Sequence, residues 1–176
     1  MQQKIVLIGG PGTGKTSILK ELKTLGYTCM PEISREVIVK AQKQGIDQLF
    51  LEQPLLFSEM LLKGREQQYL KAHNCNTDVV FFDRGIPDIH AYMNYLGNEY
   101  PPIYKEKSHQ YLYTKVFMCS PWKNIYCSDN ERYETFEQAV KIDAFLQKTY
   151  LEIGYNIINI PFASVKKRCT FILESL

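Results

Sequence analysis

Long hydrophobic runs are missing from this sequence of 176 residues. Its first apolar run, Ile5-Val6-Leu7-Ile8, is broken at once by Gly9-Gly10. Neither a membrane span of ~20 apolar residues nor the apolar core of a secretory leader is therefore expected. An excess of one charge is missing too: 21 Lys and Arg against 19 Asp and Glu leave a formal +2. A nucleic-acid binder would carry a strongly basic face, so none is expected. The one short basic run, Lys166-Lys167-Arg168, reads as the solvated side of a helix. Cysteine is sparse, odd in number and scattered at Cys29, Cys75, Cys119, Cys127 and Cys169. No C-x-x-C pair or Cys/His cluster occurs, which argues against a zinc site and against a disulfide framework. Reduced thiols fit a cytoplasmic protein. His73, His90 and His109 lie apart and form no ligand set, and Trp122 stands alone.

What is present is an alternation of short apolar runs with amphipathic stretches. Strands are expected at 4–8, 27–30, 78–82, 114–119 and 155–160, with Asp83 at the end of the third. Helices are expected at 16–25, 32–44, 53–72 and 87–96. A longer helix is read over 132–153, and a last one is capped by Ser164. The polar and aromatic segment 98–113, with Pro101-Pro102, reads as a loop or insertion. Strands alternating with helices imply crossover connections and a parallel sheet in a single α/β domain over 1–176. Ligands of such sheets collect at the carboxyl ends of the strands, where Gly9, Glu32, Asp83, Ser120 and Pro161 all fall.

Gly9-Gly10-Pro11-Gly12-Thr13-Gly14-Lys15-Thr16 fills the pattern G-x-x-x-x-G-K-[ST] in full, between a buried strand and a helix. Glycines let successive backbone N–H groups turn toward one anion, and the following helix aims its positive end there. Gly10, Pro11, Gly12, Thr13, Gly14, Lys15, Thr16 and Ser17 are expected to cradle the phosphates of ATP. Lys15 reaches the outer phosphates, and the Thr16 hydroxyl ligates Mg²⁺. A second signal is the apolar run Val79-Val80-Phe81-Phe82 ending in Asp83-Arg84-Gly85. Asp83 is expected to hold Mg²⁺ and Arg84 to contact the transferring phosphoryl group. A third is Pro31-Glu32-Ile33-Ser34-Arg35-Glu36. Here Glu32 suits a general base or a partner of the metal, and Arg35 an anion holder, although acidic residues also simply start helices. A fourth is the turn-rich segment 120–132. Ser128 and Glu131 match a capping box that puts Arg132 in the first helical turn. Lys123 and Arg132 read either as a mobile lid over the phosphates or as surface cations.

On these residues the chain resembles small kinase-like ATPases with a phosphate-binding loop, related to the nicotinamide riboside kinase domain of the NadR type. It is more similar to their stand-alone bacterial relatives, described as predicted ATPases or AAA-domain proteins. The resemblance rests on Gly9–Thr16, Pro31-Glu32-x-x-Arg35-Glu36, Phe82-Asp83-Arg84-Gly85-x-Pro87-Asp88, Arg132, and a late segment with Ser164 and Arg168. It implies an α/β three-layer sandwich, with a five-stranded parallel sheet in the order 2-3-1-4-5 and a small lid near 120–132. It also implies ATP as donor, with the base near Pro161 to Arg168, and it names no acceptor. Hexameric remodelling motors fit less well, because no Asp-Glu pair ends an apolar strand. GTPases fit less well too, because no [NT]-K-x-D motif occurs. Two readings stand. One is a phosphotransferase acting on a nucleoside, nucleotide or vitamin precursor, with Lys15, Glu32, Asp83, Arg84 and Arg132 as catalytic residues and Glu32, Arg35 and Asp88 facing the acceptor. The other is an ATPase or GTPase switch that controls a partner or a lipid headgroup.

Overall fold

The structure is a computed structural model whose described residues are 2–43, 45, 46, 49, 53–97, 99–126 and 134–176, with the backbone alone for Arg35. In chain order the elements are β1 (Gln3–Ile8), α1 (Lys15–Thr24), β2 (Thr28–Met30), α2 (Ser34–Gln42) and α3 (Pro54–His73). There follow β3 (Val79–Asp83), α4 (Ile86–Leu96), α5 (Ile103–Gln110), β4 (Lys115–Met118), α6 (Phe136–Ile153), β5 (Ile157–Asn159) and α7 (Val165–Glu174). All strand pairs are parallel, in the order β2-β3-β1-β4-β5. The strand carrying the glycine loop is therefore central, with Asp83 on the strand beside it.

Alternation along the strands builds three layers. Val6 and Ile8 of β1, with Val80, Phe82, Val116 and Met118, pack on Ile142, Leu146 and Tyr150 of α6. Their neighbours Ile5 and Leu7, with Phe81 and Phe117, pack on Ile18, Leu19 and Leu22 of α1 and on Cys169 and Ile172 of α7. The central strands are apolar on both faces because both faces are covered. Each such buried side chain contributes about 1.5–3 kcal/mol. A third cluster contains no strand residue: Ile33, Val37, Ala41, Leu61, Leu62, Ile86, Ile89, Met93 and Tyr104 join α2, α3, α4 and α5 above the sheet end.

Two expectations need correction. Segment 98–113 is not a loop throughout, since α5 occupies Ile103–Gln110. Pro102 sits at its N-cap with helical φ, so the pyrrolidine ring presets the first turn of a helix. Only Tyr104 and Ser108 are buried on α5, one turn apart, so no apolar stripe announces it. The long helix α6 starts at Phe136 rather than Arg132. Thr135 caps it, accepting from the Gln138 N–H while the Gln138 side chain returns to the Thr135 N–H. The proposed box of Ser128 and Glu131, and Arg132 itself, lie outside the described residues.

Candidate active site

Between β1 and α1 the chain turns through three glycines with positive φ: Gly9 at 140°, Gly12 at 74° and Gly14 at 86°. A Cβ on Gly12 would stand 2.8 Å from the Tyr126 ring, and one on Gly14 would stand 2.8 Å from Arg168 Nη1. Positive φ disfavours a side chain at both positions, the Tyr126 ring closes the space at Gly12, and at Gly14 the Arg168 guanidinium would have to shift. Gly14 is also the N-cap of α1 and supplies no side-chain cap. The first N–H groups of that helix are thus not claimed by a capping side chain, which suits an anion. Lys15 folds back into the loop, where Nζ donates to Gly9 O at 2.9 Å and Gly10 O at 2.8 Å. Burial, and then the nearby Arg84 charge, bring its pKa down to about 8. The Thr16 hydroxyl donates to Asp83 Oδ2 at 3.1 Å. Burial pushes Asp83 above the usual carboxylate range, with Lys15 opposing the shift.

The loop opens into a cleft of about 700 Å³, within the size range of small-molecule sites. Pro11 to Ser17 form its floor, and Glu32, Asp83 and Arg84 stand at one end. At the other end are Trp122, Ile125, Val165 and Arg168. Trp122 stacks on Phe162 with ring centroids 5.2 Å apart and planes 20° apart. Arg168 corrects the reading of the basic run. Lys166 and Lys167 are exposed, but Arg168 is buried and donates from Nη2 to Thr13 O at 3.0 Å. The α7 helix thereby grips the phosphate loop.

Beyond Asp83 the chain makes a turn that a side chain rarely tolerates: Arg84 has φ 71°. Contacts from four sides hold it there. Its N–H donates to Leu7 O at 3.0 Å and Nη1 to Gly9 O at 3.0 Å. Nε lies 2.7 Å from Glu32 Oε2, and Nη1 lies 3.3 Å from Asp88 Oδ1. The guanidinium also lies over the Tyr92 ring, 5.5 Å from its centroid. Glu32 is held as tightly. Its Oε1 accepts from the N–H groups of Ile33 and Ser34 at 2.9 and 3.1 Å and from Arg65 Nη2 at 3.3 Å. Burial alone would raise its pKa, but Arg65 and Arg84 outweigh that and hold the carboxyl below its ordinary range.

Lys15, Thr16, Glu32, Asp83 and Arg84 thus converge on one cleft, with Ser17 exposed at its floor. Asp88 stands behind them, 1% exposed. Its Oδ2 accepts from the Gly85 N–H at 2.9 Å and the Tyr150 hydroxyl at 2.7 Å, and its Oδ1 faces Arg84. Both oxygens are engaged within the protein, so Asp88 meets Arg84 rather than the open cleft. Glu36 lines a separate groove between α2 and α3, and Lys123 is exposed. Arg35 lies in the first turn of α2, and its side chain lies outside the described residues, as does Arg132. Among the described residues no group of three or more His, Cys, Asp or Glu is placed to hold a metal, and no helix is long and apolar enough to cross a membrane. Arg65, Tyr150 and Tyr113 were not singled out from sequence. The signal for Arg65 was its spacing, three and four residues beyond Leu62 and Leu61 on one buried helical face.

Solved structures of similar fold include deoxyadenosine kinase from M. mycoides with dCMP and dCDP bound (TM-score 0.73, 17% identity, 98% of each chain covered). NadR protein in complex with NR is also similar (TM-score 0.73, 14% identity, 99% of this chain and 50% of that one). So is thymidylate kinase from Candida albicans (TM-score 0.68, 13% identity, 99% of this chain and 90% of that one). At these identities what is shared is the fold. No match is found among curated proteins. A family model described as an AAA domain matches residues 4–168, nearly the whole chain, and the protein belongs to that AAA-domain family.

Proposed function

We propose that the protein is an ATP-dependent phosphotransferase whose acceptor is a hydroxyl group on a small, uncharged molecule. The observation that carries this reading is the Glu32–Arg84 pair, 2.7 Å apart and in the same cleft as the phosphate loop. A protein that only bound nucleotide would have no need of a fixed carboxylate and guanidinium beside the outer phosphate position. Among the described residues, Arg84 in the cleft and Arg65 behind it are each engaged with a carboxylate, Glu32 or Asp88, and the other cations on this side, Lys20 and Lys23, are exposed to solvent. That balance favours a neutral acceptor, such as a nucleoside or a vitamin-precursor alcohol, over one that brings a second phosphate. The similar folds of deoxyadenosine kinase and of NadR in complex with NR agree with this class.

In this mechanism the backbone of Gly10 to Ser17 receives the phosphates, and Lys15 leaves its carbonyl partners to contact the outer ones. Mg²⁺ suits the paired oxygen donors of Thr16 and Asp83, and when bound it neutralises charge on the phosphate oxygens. Arg84 faces the charge that builds on the transferring phosphoryl group. Glu32 stays ionised and accepts a hydrogen bond from the acceptor hydroxyl, which orients that oxygen for in-line attack. The new O–P bond forms as the bond to ADP breaks, and the hydroxyl proton leaves by way of Glu32 to water. A carboxylate of low proton affinity is adequate, because the transferring group is largely dissociated before the hydroxyl must give up its proton. Asp88 acts through Arg84. In this proposal Arg35 faces the acceptor, Lys123 and Arg132 are the lid cations over the phosphates, and the base of ATP lies toward Trp122 and residues 161–168.

The test is incubation of the purified protein and MgATP with nucleosides, nucleoside monophosphates and vitamin-precursor alcohols, read by mass spectrometry. The expected result is one phosphoryl group gained by an uncharged alcohol. Glu32→Gln should slow that transfer by roughly 10²-fold with nucleotide affinity retained. Phosphorylation of monophosphates alone overturns the neutral-acceptor reading. Nucleotide binding with no acceptor, accompanied by altered affinity for a partner or lipid, replaces the transferase with a switch.

A further inference from the structure

Arg65 lies in the middle of α3 and is 4% exposed. A guanidinium keeps its charge at any ordinary pH, so a buried one demands compensation. Its Nη1 donates to Gly85 O at 2.7 Å, and its Nη2 donates to Glu32 Oε1 at 3.3 Å. One planar fork therefore joins the loop after β2 to the turn after β3. Neither partner can drift. Gly85 is walled in, since a Cβ there would stand 2.5 Å from the Tyr150 hydroxyl and 2.9 Å from the Tyr113 ring. Glu32 Oε1 is already held by two N–H groups at the start of α2, and Oε2 faces Arg84. The carboxylate thus meets a different arginine at each oxygen, by a hydrogen bond from Arg65 at Oε1 and by an ion pair with Arg84 at Oε2.

The geometry points to Arg65 as a positioning residue that sets the Glu32 carboxylate and the Arg84-bearing turn in register from a third element, α3. This rests on Glu32 being the acceptor-facing carboxylate. Arg65 does not line the cleft, so it acts through Glu32 and Gly85 and not on substrate. Without Arg65, Glu32 Oε1 would keep only the two N–H groups of its own turn, and no side chain would tie it to α3 and Gly85. Lysine in place of Arg65 would keep the charge but lose the fork, because one ammonium cannot meet Gly85 O and Glu32 in the same planar arrangement. Among the described residues, the charged and titratable groups around Glu32 come from several elements. They are Arg65 on α3, Arg84 and Asp83 at the end of β3, Lys15 at the phosphate loop, and Asp88 and Tyr92 on α4.

The test uses the full chain, with ¹³C in the glutamate side-chain carboxyls and the Glu32 resonance identified by its loss in Glu32→Gln. In Arg65→Gln the Glu32 titration midpoint is expected to move upward, and the Ile33 and Ser34 amides, which Glu32 holds, are expected to exchange faster. Arg65→Lys is expected to restore most of the midpoint while leaving those amides fast. An unmoved midpoint in Arg65→Gln overturns the assignment, as does an equal shift in both variants, which would mean lost packing and not lost charge. Should Arg65→Gln fail to fold, Arg65→Lys decides by amide exchange alone: faster exchange at Ile33 and Ser34 supports the bridge, and unchanged protection overturns it. No acceptor is needed for these readouts, so failure of the transferase reading is detected separately, by the acceptor screen.

Discussion

Lys15 in the free protein titrates at about 8, because burial and then Arg84 disfavour its charge. The ammonium is the form that phosphate binds, and bound phosphate holds its proton in place. Between about pH 7 and about pH 9 the protonated fraction of the free protein falls from about nine-tenths to about one-tenth. Affinity for MgATP is therefore expected to weaken about tenfold over that range, or about 1.4 kcal/mol. Binding at about pH 9 should take up about 0.9 proton, against about 0.1 at about pH 7. Calorimetry in two buffers of different ionisation enthalpy measures both quantities. Lys15→Ala should bind more weakly throughout, by about 1.5–3 kcal/mol at neutral pH, and should lose the pH slope. Affinity independent of pH, with no buffer-dependent heat at about pH 9, would refute the argument that a partly deprotonated Lys15 waits in the loop. The same shift acts on folding with the opposite sense of advantage. The unfolded chain holds this proton more tightly, so the free fold gains stability from this group as pH rises from about 8 toward 10.5.

Three further outcomes are expected. Tyr150→Phe removes the hydroxyl that donates to buried Asp88, and urea denaturation should show a loss of about 1.5–3 kcal/mol; unchanged stability would mean that Asp88 does not need that donor. Gly14→Ala should abolish MgATP binding, whereas Gly97→Ala, at a similar φ of 70° but with open space around it, should cost only about 1–2 kcal/mol of stability; equal effects on binding would show that backbone strain and not space matters at Gly14. Trp122 is the only tryptophan and lines the cleft, so its emission should change on MgATP addition and stay constant in Gly14→Ala; binding seen by calorimetry with no change in emission would place the base elsewhere.

The sheet and its loop were readable because local rules agree with the global arrangement there. A buried strand, a glycine turn and a helix leave one solution for Gly9 to Thr16, and an apolar strand ending in Asp83 places that carboxylate at the same sheet edge. What was not readable depends on contacts distant in sequence. In sequence two segments satisfy the same capping pattern before α6, Ser128 to Glu131 and Thr135 to Gln138, and the pattern alone does not tell which one starts the helix that buries Ala139 and Ile142. The loop-like 98–113 segment hid α5 because two buried positions do not make a stripe. Arg168 looked solvated among lysines, and its burial is set by a carbonyl 155 residues away. The spacing of Arg65 from Leu61 and Leu62 hints at its burial, but its partners do not show in the sequence, because they lie 20 and 33 residues distant on two other segments.

The third apolar cluster, built without a single strand residue, gives the molecule two grades of internal resilience. The helix α3 bridges them: Leu61 and Leu62 belong to the strand-free cluster, while Ala72 and Tyr69 near its end belong with the sheet. Helix α4 bridges them too, since its Ala91 lies in the sheet-facing cluster, and α2 with the first turns of α3 is the part expected to loosen first. Across the joint the attachments include the ion pairs of Glu32 with Arg65 and with Arg84. Ligand admission then becomes a sub-global breathing event with its own free energy, smaller than that of complete unfolding. Native-state hydrogen exchange should resolve it as early-opening amides in α2 and the first turns of α3, beside late-opening amides in β1, β3 and β4.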